Sequence, residues 1–541
     1  MGNKLQEEQE KLYSRNFKKF GFNLNIFVSI VTAILVLGFV IFTIVKPNLS
    51  AEFFSSINAS LNKNFNWVYV LTINGAFVFL VFIGMSKYGN IRLGGYTSKP
   101  EYGDFPWYAM MFSAGIGIGI FFYGVAEPIY HLNIPDALQS GSAFDNFKVM
   151  FLHWGAHAWA VYGLLAIGLA YFTYNKGLPF AIRSLFYPVL KEKIYGIWGD
   201  IIDTIATLAV LFGLATSLGL GAKQINSGLN FVFGVPDSPK IQVILIVVIT
   251  FIATLSVISG VSRGIKWLSE ANLFVSSMLL LGITLIGPTT YILSTYLSSM
   301  GVYLRDFINI GLFTATDSAS MAWQGDWTIF YWAWWISWSP FVGTFIARIS
   351  KGRTIRQIAF GVLIVPTIAI TIAMTILGAS GVYLNEAFNG VIEKAINENV
   401  ATSMFTMFNY LTSSGILQTL LSLVAVFAII IFFVTSSDSG SLVVSNLTSS
   451  GMTSPPKRQR VFWAAMEGAI ALSVLLIGGE AALNTIESAV VILGFPFSII
   501  FLIIILSLGK ELQASYKKYN LNRTITLKKR LTKIDETDKY K

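Results

Sequence analysis

Four tryptophans crowd into WAWWISWSP, residues 332–340. At about 100° per residue, Trp332, Trp334, Trp335 and Trp338 all fall on one half of a helix. Aromatic faces gathered in this way suit a cation without hydrogen-bond donors, such as a quaternary ammonium group. Such an attraction is worth about 2 kcal/mol or more once water is excluded. Tryptophans of membrane proteins usually form belts at the two interfaces. Trp334 to Trp338 instead sit near the middle of the apolar segment 327–349. Pro340 follows them and predicts a freed carbonyl and a kink.

Three further stretches carry chemistry. In SAGIGIGIFFYGVAEP, 113–128, Gly115, Gly117 and Gly119 alternate with isoleucine. Each glycine costs a helix interior about 0.5–1 kcal/mol. The pattern predicts either a break, tolerated at membrane depth where backbone is buried or lines a cavity, or close packing through Gly115 and Gly119. It is no nucleotide loop, because no strand precedes it. In HWGAHAWAVY, 153–162, Trp154, Trp159 and Tyr162 fall within about 140° of one another on a helical wheel. His153 and His157 have the i, i+4 spacing of a two-histidine metal face. No third ligand is in view, so packing or hydrogen bonding within the bundle is the better reading. In IIFFVTSSDSGS, 430–441, Thr435, Ser436, Ser437, Asp438 and Ser439 crowd the end of an apolar segment. Hydroxyls there commonly bond back to the helix. Beside the freed carbonyls of a broken helix they would also suit Na⁺, a hard cation.

The elements that must position these residues are membrane helices. Of 541 residues, 54% are hydrophobic and 12% charged, about half the charge of a soluble chain. The apolar runs are about 20 residues long, the length that crosses a bilayer. The reading is an all-α polytopic membrane protein of about twelve spans, near 25–46, 65–86, 105–125, 147–174, 200–229, 240–260, 271–298, 327–349, 357–382, 415–436, 460–478 and 485–508. The first run is too long for a signal-peptide core, so no cleavable signal is expected. Alternate loops are basic, such as 11–19, 87–99, 176–193 and 348–356. The loops between them lean acidic, with Glu127, Asp317 and Glu480 among them. The positive-inside rule then places both termini in the cytoplasm and spreads the net charge of +10 over loops, which argues against nucleic acid. Residues 301–316 could lie in the outer interface plane. The loop 383–413 could form short surface helices. Residues 1–24 and 511–541 are tails, the second basic and suited to anionic lipid. No cysteine is present, so thiolate chemistry and disulfides are excluded. Three histidines and no cysteine in the chain argue against a zinc site.

These motifs resemble a known family. WTIFYWAWWISWSPFVGTFIARISKGRTIR, 327–356, is similar to the signature of the betaine–choline–carnitine transporters, and AGIGIG, HWGAHAWAVY and FVTSSDS occur in the family's order. The resemblance covers about 25–510 and leaves the tails unmatched. It implies a homotrimer in the cell membrane working by alternating access. It implies two inverted five-helix repeats, near 105–298 and 327–508, with substrate at mid-membrane where the first helix of each repeat is broken. Here those breaks would lie at Gly115–Gly119 and near Pro340.

The resemblance also implies residue roles. Trp154, Trp159, Tyr162 and Trp335 would form the aromatic box around a trimethylammonium group. Trp334 and Trp338 would line the pathway, with Phe122 and Phe330 as gating aromatics. Backbone near Gly115, Gly117 and Gly119 would meet a carboxylate. One Na⁺ site would use carbonyls of Ser113, Ile116 and Phe432 with the hydroxyls of Thr435 and Ser436. A second Na⁺ site departs from the family's pattern. Anchored on FGLATSLGLG, Val210 and Leu214 stand where sodium-coupled members have threonines, with Phe341 opposite; Thr207 or Thr216 would substitute in another register. The seventh span has no basic residue between Lys266 and Arg305 to replace sodium, and Gly119 stands where proton-coupled choline carriers tend to be acidic. The expectation is a non-enzymatic, sodium-coupled importer of glycine betaine for osmoprotection, without a cofactor. Choline is the alternative substrate, and a carnitine-type antiporter is the next.

Overall fold

The computed structural model describes residues 2–115, 117–259, 262–476 and 479–538. Among them the regular structure is helical, apart from two isolated bridges, Phe17 with Leu24 and Arg92 with Thr354. Eight helices among the described residues are long and apolar enough to cross a bilayer, or nine if the bent pair Glu270–Ile286 and Thr289–Leu312 counts as one span. The chain is thus an all-α, polytopic membrane protein. The outermost spans, such as Ile26–Val45 and Pro239–Ile258, turn most of their apolar side chains outward, and the spans around the site are largely buried. That contrast is expected where lipid solvates the rim and helices pack inside it.

The elements that build the site are, in order, α1 (Asp104–Gly115), α2 (Gly119–Tyr123), α3 (Glu127–Tyr130), α4 (Asp145–Trp154), α5 (Ala156–Ala170), α6 (Ile197–Phe233), α7 (Phe330–Ile349), α8 (Gly415–Leu447) and α9 (Lys457–Leu475). The predicted span 105–125 is broken: α1 stops at Gly115 and α2 resumes at Gly119. The loop 383–413 carries the short helices Val391–Glu398 and Ser403–Leu411.

Several expectations are corrected. The helix containing the predicted span 65–86 begins at Pro47, and proline at the first helical position sets that start. The predicted span 271–298 is not one rod. It bends by 111° between Ile286 and Thr289, at Gly287 and Pro288, so the segment expected to start at 301 begins at Thr289. The predicted span 147–174 is interrupted at Gly155, whose ψ of −142° leaves the helical region. A Cβ at that glycine would lie 2.4 Å from the Phe151 carbonyl oxygen.

The hydroxyl-rich run does not end a helix either, because α8 continues to Leu447. Pro340 breaks nothing. α7 runs through it without interruption, and the irregular turn precedes the helix as a π-helical turn over Gly325–Ile329. The carbonyl that Pro340 leaves without an N–H donor is that of Ile336. The Ser339 hydroxyl donates to it at 2.6 Å. A serine one position before the proline restores the lost hydrogen bond, so the helix has no polar reason to open.

Basic residues assigned to inner loops also do structural work. Arg183 is fully buried, with Nε 2.6 Å from Asp203 Oδ2 and Nη2 2.8 Å from Asp200 Oδ1. The same Asp200 oxygen accepts from Asn25 at 2.7 Å, so the pair ties the first span to α6.

Candidate functional site

The three alternating glycines and the tryptophan cluster meet. Gly115, Gly117 and Gly119 line one pocket together with Trp154, Trp334, Trp335, Trp338 and Ser217. The glycines matter for what has no room to exist there. A Cβ on Gly115 would lie 2.2 Å from Trp159 Cη2, and one on Gly119 would lie 2.7 Å from Trp154 Cη2. At Gly117 the nearest atom would be Trp338 Cζ2, at 4.0 Å. The first and third glycines therefore let indole edges reach the backbone, and the middle one faces the pocket more openly. Both sequence readings hold at once: the helix is broken, and small residues give close packing.

The indoles form a connected wall. Trp334 and Trp335 stack with ring centres 5.1 Å apart and planes 8° apart. Trp154 meets Trp335 edge to face at 5.0 Å. Phe330 stacks on Trp334 at 5.6 Å, and Trp338 meets Phe341 edge-on at 5.4 Å. Such offset and edge contacts are the favoured aromatic geometries. Trp159 and Tyr162 meet at 5.5 Å and do not line the pocket; Trp159 closes on it through Gly115. Because Gly155 interrupts the helix, one helical wheel does not relate Trp154 to Trp159 and Tyr162. Phe122 is buried against Tyr123 at 4.9 Å. Trp332 is fully buried and stacked against His157, as packing.

His157 also stacks on Phe77 and Phe307. It belongs to the bundle interior and forms no metal face with His153. Among the described residues the group with metal-like spacing is instead Glu127, His131 and His153, whose ligand atoms lie within 4.8 Å of one another. Sequence reasoning placed Glu127 in an outer loop. It is fully buried, on α3, and accepts from Trp154 Nε1 at 2.6 Å and from the Tyr331 hydroxyl at 2.8 Å. The one available signal was its place in GVAEP, directly after the glycine break.

The residues expected to hold sodium divide. Ile116 lies outside the described residues, as does the side chain of Ser113. Phe432, Thr435 and Ser436 sit on α8, where Phe121 of α2 packs on Phe432 with ring centres 6.1 Å apart. Thr435 Oγ1 donates to the carbonyls of Ile431 at 2.8 Å and Phe432 at 3.2 Å. Val210 and Leu214 are buried, and Leu214 packs where a Cβ on Gly440 would strike it. The alternative threonines donate back to their own helix, Thr207 to the Asp203 carbonyl and Thr216 to that of Phe212, as Thr435 does to Ile431.

The sequence profile of the betaine/carnitine/choline family transporters matches residues 27–517. A probable glycine betaine transporter of Desulfitobacterium hafniense is 38% identical over 90% of this chain and 97% of its own. Glycine betaine transporter 1 of Vibrio parahaemolyticus is 40% identical over 91% of this chain and 94% of its own. A glycine betaine/proline/choline/ectoine transporter of the same organism is 38% identical over 93% of this chain and 90% of its own. Profile and relatives together span the broken glycine helix, the aromatic wall and the hydroxyl-rich helix, and the chain therefore belongs to the betaine/carnitine/choline transporter family, as a multi-pass membrane transporter and not an enzyme.

Proposed function

We propose that the protein imports glycine betaine together with Na⁺ by alternating access, as an osmoprotectant. The observation that carries this reading is the pocket between the glycine break and the indoles of Trp154, Trp334, Trp335 and Trp338. Aromatic faces attract the trimethylammonium group. The opposite wall is backbone at a helix break, which offers N–H groups to a carboxylate. Trp334 and Trp338 have buried indole N–H groups without a partner among the described residues, and two free donors suit a ligand that carries a carboxylate. Trp159 and Tyr162 support the wall from behind. Phe122 and Phe330 are the gating aromatics.

Sodium is assigned to carbonyls at the α1 break and on α8, with Ser113, Ile116, Phe432, Thr435 and Ser436 as ligands. Phe432 packs on Phe121 of α2, in keeping with that assignment. The second site, opposite Phe341, has no oxygen to offer at Val210 or Leu214. A neutral zwitterion moving with one Na⁺ carries one charge. At 100 mV that charge supports about a fiftyfold gradient. Two inverted repeats, a homotrimer in the cell membrane and cytoplasmic termini complete the reading. The two repeats are favoured by irregular backbone at 117–118 and at the π-helical turn 325–329, each at the first helix of its half.

Uptake of labelled betaine into proteoliposomes under an inward sodium gradient tests the proposal. Accumulation should require Na⁺, and equal uptake with K⁺ outside would refute coupling. The sodium dependence should have a Hill coefficient near one. A value of two would require a second site built from oxygens at other positions, because the side chains of Val210 and Leu214 carry none.

A further inference from the structure

Trp154 is held at both ends. Its indole N–H donates to Glu127 Oε2 at 2.6 Å, and the far edge of its benzo ring meets Gly119 so closely that a Cβ there would lie 2.7 Å from Cη2. A ring fixed at its N–H and at its opposite edge keeps one orientation where it lines the pocket. The oxygen that holds Trp154 also accepts from the Tyr331 hydroxyl at 2.8 Å. Tyr331 in turn packs 5.3 Å from Trp154 and stacks 6.1 Å from Trp335.

The other carboxylate oxygen, Oε1, lies 2.8 Å from His153 Nδ1. With the carboxylate accepting, the His153 proton sits on Nδ1, and Nε2 accepts from the Thr328 hydroxyl at 3.0 Å. The His153 carbonyl accepts from Trp335 Nε1 at 2.7 Å. His131 Nε2 stands 3.5 Å from Oε1. One carboxylate thus joins α3, α4 and α7: it holds the rings of Trp154, His153 and Tyr331 directly, and Trp335 is tied to the backbone of His153.

We propose that Glu127 is a positioning residue of the aromatic wall: as a hydrogen-bond acceptor it sets the orientation of Trp154 and Tyr331, and through them the affinity for a quaternary ammonium group that it never touches. The proposal rests on the ammonium-binding reading of the pocket. The same side chains have the spacing of a metal-ligand set, but the geometry favours positioning. Both Glu127 oxygens already accept from protein donors. The 2.8 Å between Oε1 and His153 Nδ1 is shorter than the separation of about 3.3 Å between ligands of one tetrahedral ion.

The test uses purified full-length protein and betaine binding read by tryptophan fluorescence, with size-exclusion profiles to confirm folded protein. Glu127→Gln keeps an acceptor oxygen at the same reach. Glu127→Asp keeps the charge and withdraws the acceptor by one methylene. If Glu127 positions the rings, Glu127→Asp weakens betaine binding about tenfold or more and Glu127→Gln less than about threefold. Placed in a Trp154→Phe background, which retains an aromatic face without an N–H, Glu127→Asp should cost less than half as much on the logarithmic scale. The reverse order of the two variants, or an undiminished effect in the Trp154→Phe background, overturns the proposal. Wild-type protein that binds no betaine overturns the transport reading and this proposal together. Wild-type binding with the reverse order overturns this proposal alone.

Discussion

The glycine segment 113–128 and the tryptophan segment 327–349 both carry a residue pattern that should interrupt a membrane helix, and only the first is interrupted within the pattern. Between Gly115 and Gly119 the helix stops and resumes, and indole edges occupy the space that Cβ atoms on those two glycines would need. At Pro340 the Ser339 hydroxyl satisfies the freed Ile336 carbonyl, and four tryptophans keep α7 packed. A helix-breaking residue therefore reports a weak point in the hydrogen-bond ladder. Whether the ladder opens depends on what neighbouring side chains can supply.

Substitutions can break or sharpen this contrast. The largest effect is expected at the glycines. Gly115→Ala should abolish transport, because the new methyl group would collide with Trp159, and Gly117→Ala should retain most of it. Equal losses in an uptake assay would show that backbone flexibility, not contact with the indoles, is what the glycines supply. Next comes the wall itself. Trp335→Leu should weaken betaine binding by about thirtyfold, the equivalent of about 2 kcal/mol of cation–π attraction. Unchanged affinity would remove Trp335 from the site.

Smaller effects are expected at the proline. Ser339→Ala leaves the Ile336 carbonyl buried without a partner, which should cost about 1–3 kcal/mol and lower the thermal midpoint. In the Ser339→Ala background, Pro340→Ala restores an N–H donor and should recover much of that stability. In the wild-type background Pro340→Ala should change uptake least of all. Loss of transport in that single variant would mean that the proline itself, and not the continuous helix observed, is needed for function.

Much of this was legible from residue types. The length of the apolar runs announced membrane helices, and three alternating glycines offered a break or close packing, both of which the fold uses. The indoles of α7 could be gathered on one side because that helix is regular between Phe330 and Ile349. The same wheel failed for Trp154 and Trp159, because the interruption at Gly155 lies between them and a single glycine gives little warning. The position of Ser339 beside Pro340 was visible, yet nothing local says that its hydroxyl turns back to Ile336 instead of outward. Glu127 was misread for a related reason. A lone carboxylate after a helix break looks like a loop residue until its partners, 26 to 204 positions away, are brought to it.

The sequence by itself determined which segments are apolar enough to cross a membrane, where a helix was weakest at the glycines, and the chemistry on offer: aromatic faces, glycine backbone and hydroxyls. Those follow from hydrophobicity and local backbone preference, which act over a few residues. The tertiary structure alone decided which faces meet, that Trp154 is held between Glu127 and Gly119, and that α7 stays whole through its proline. Each of these depends on a hydrogen bond or close contact whose geometry is set by packing, and in the case of Trp154 and Glu127 the partners come from separate helices.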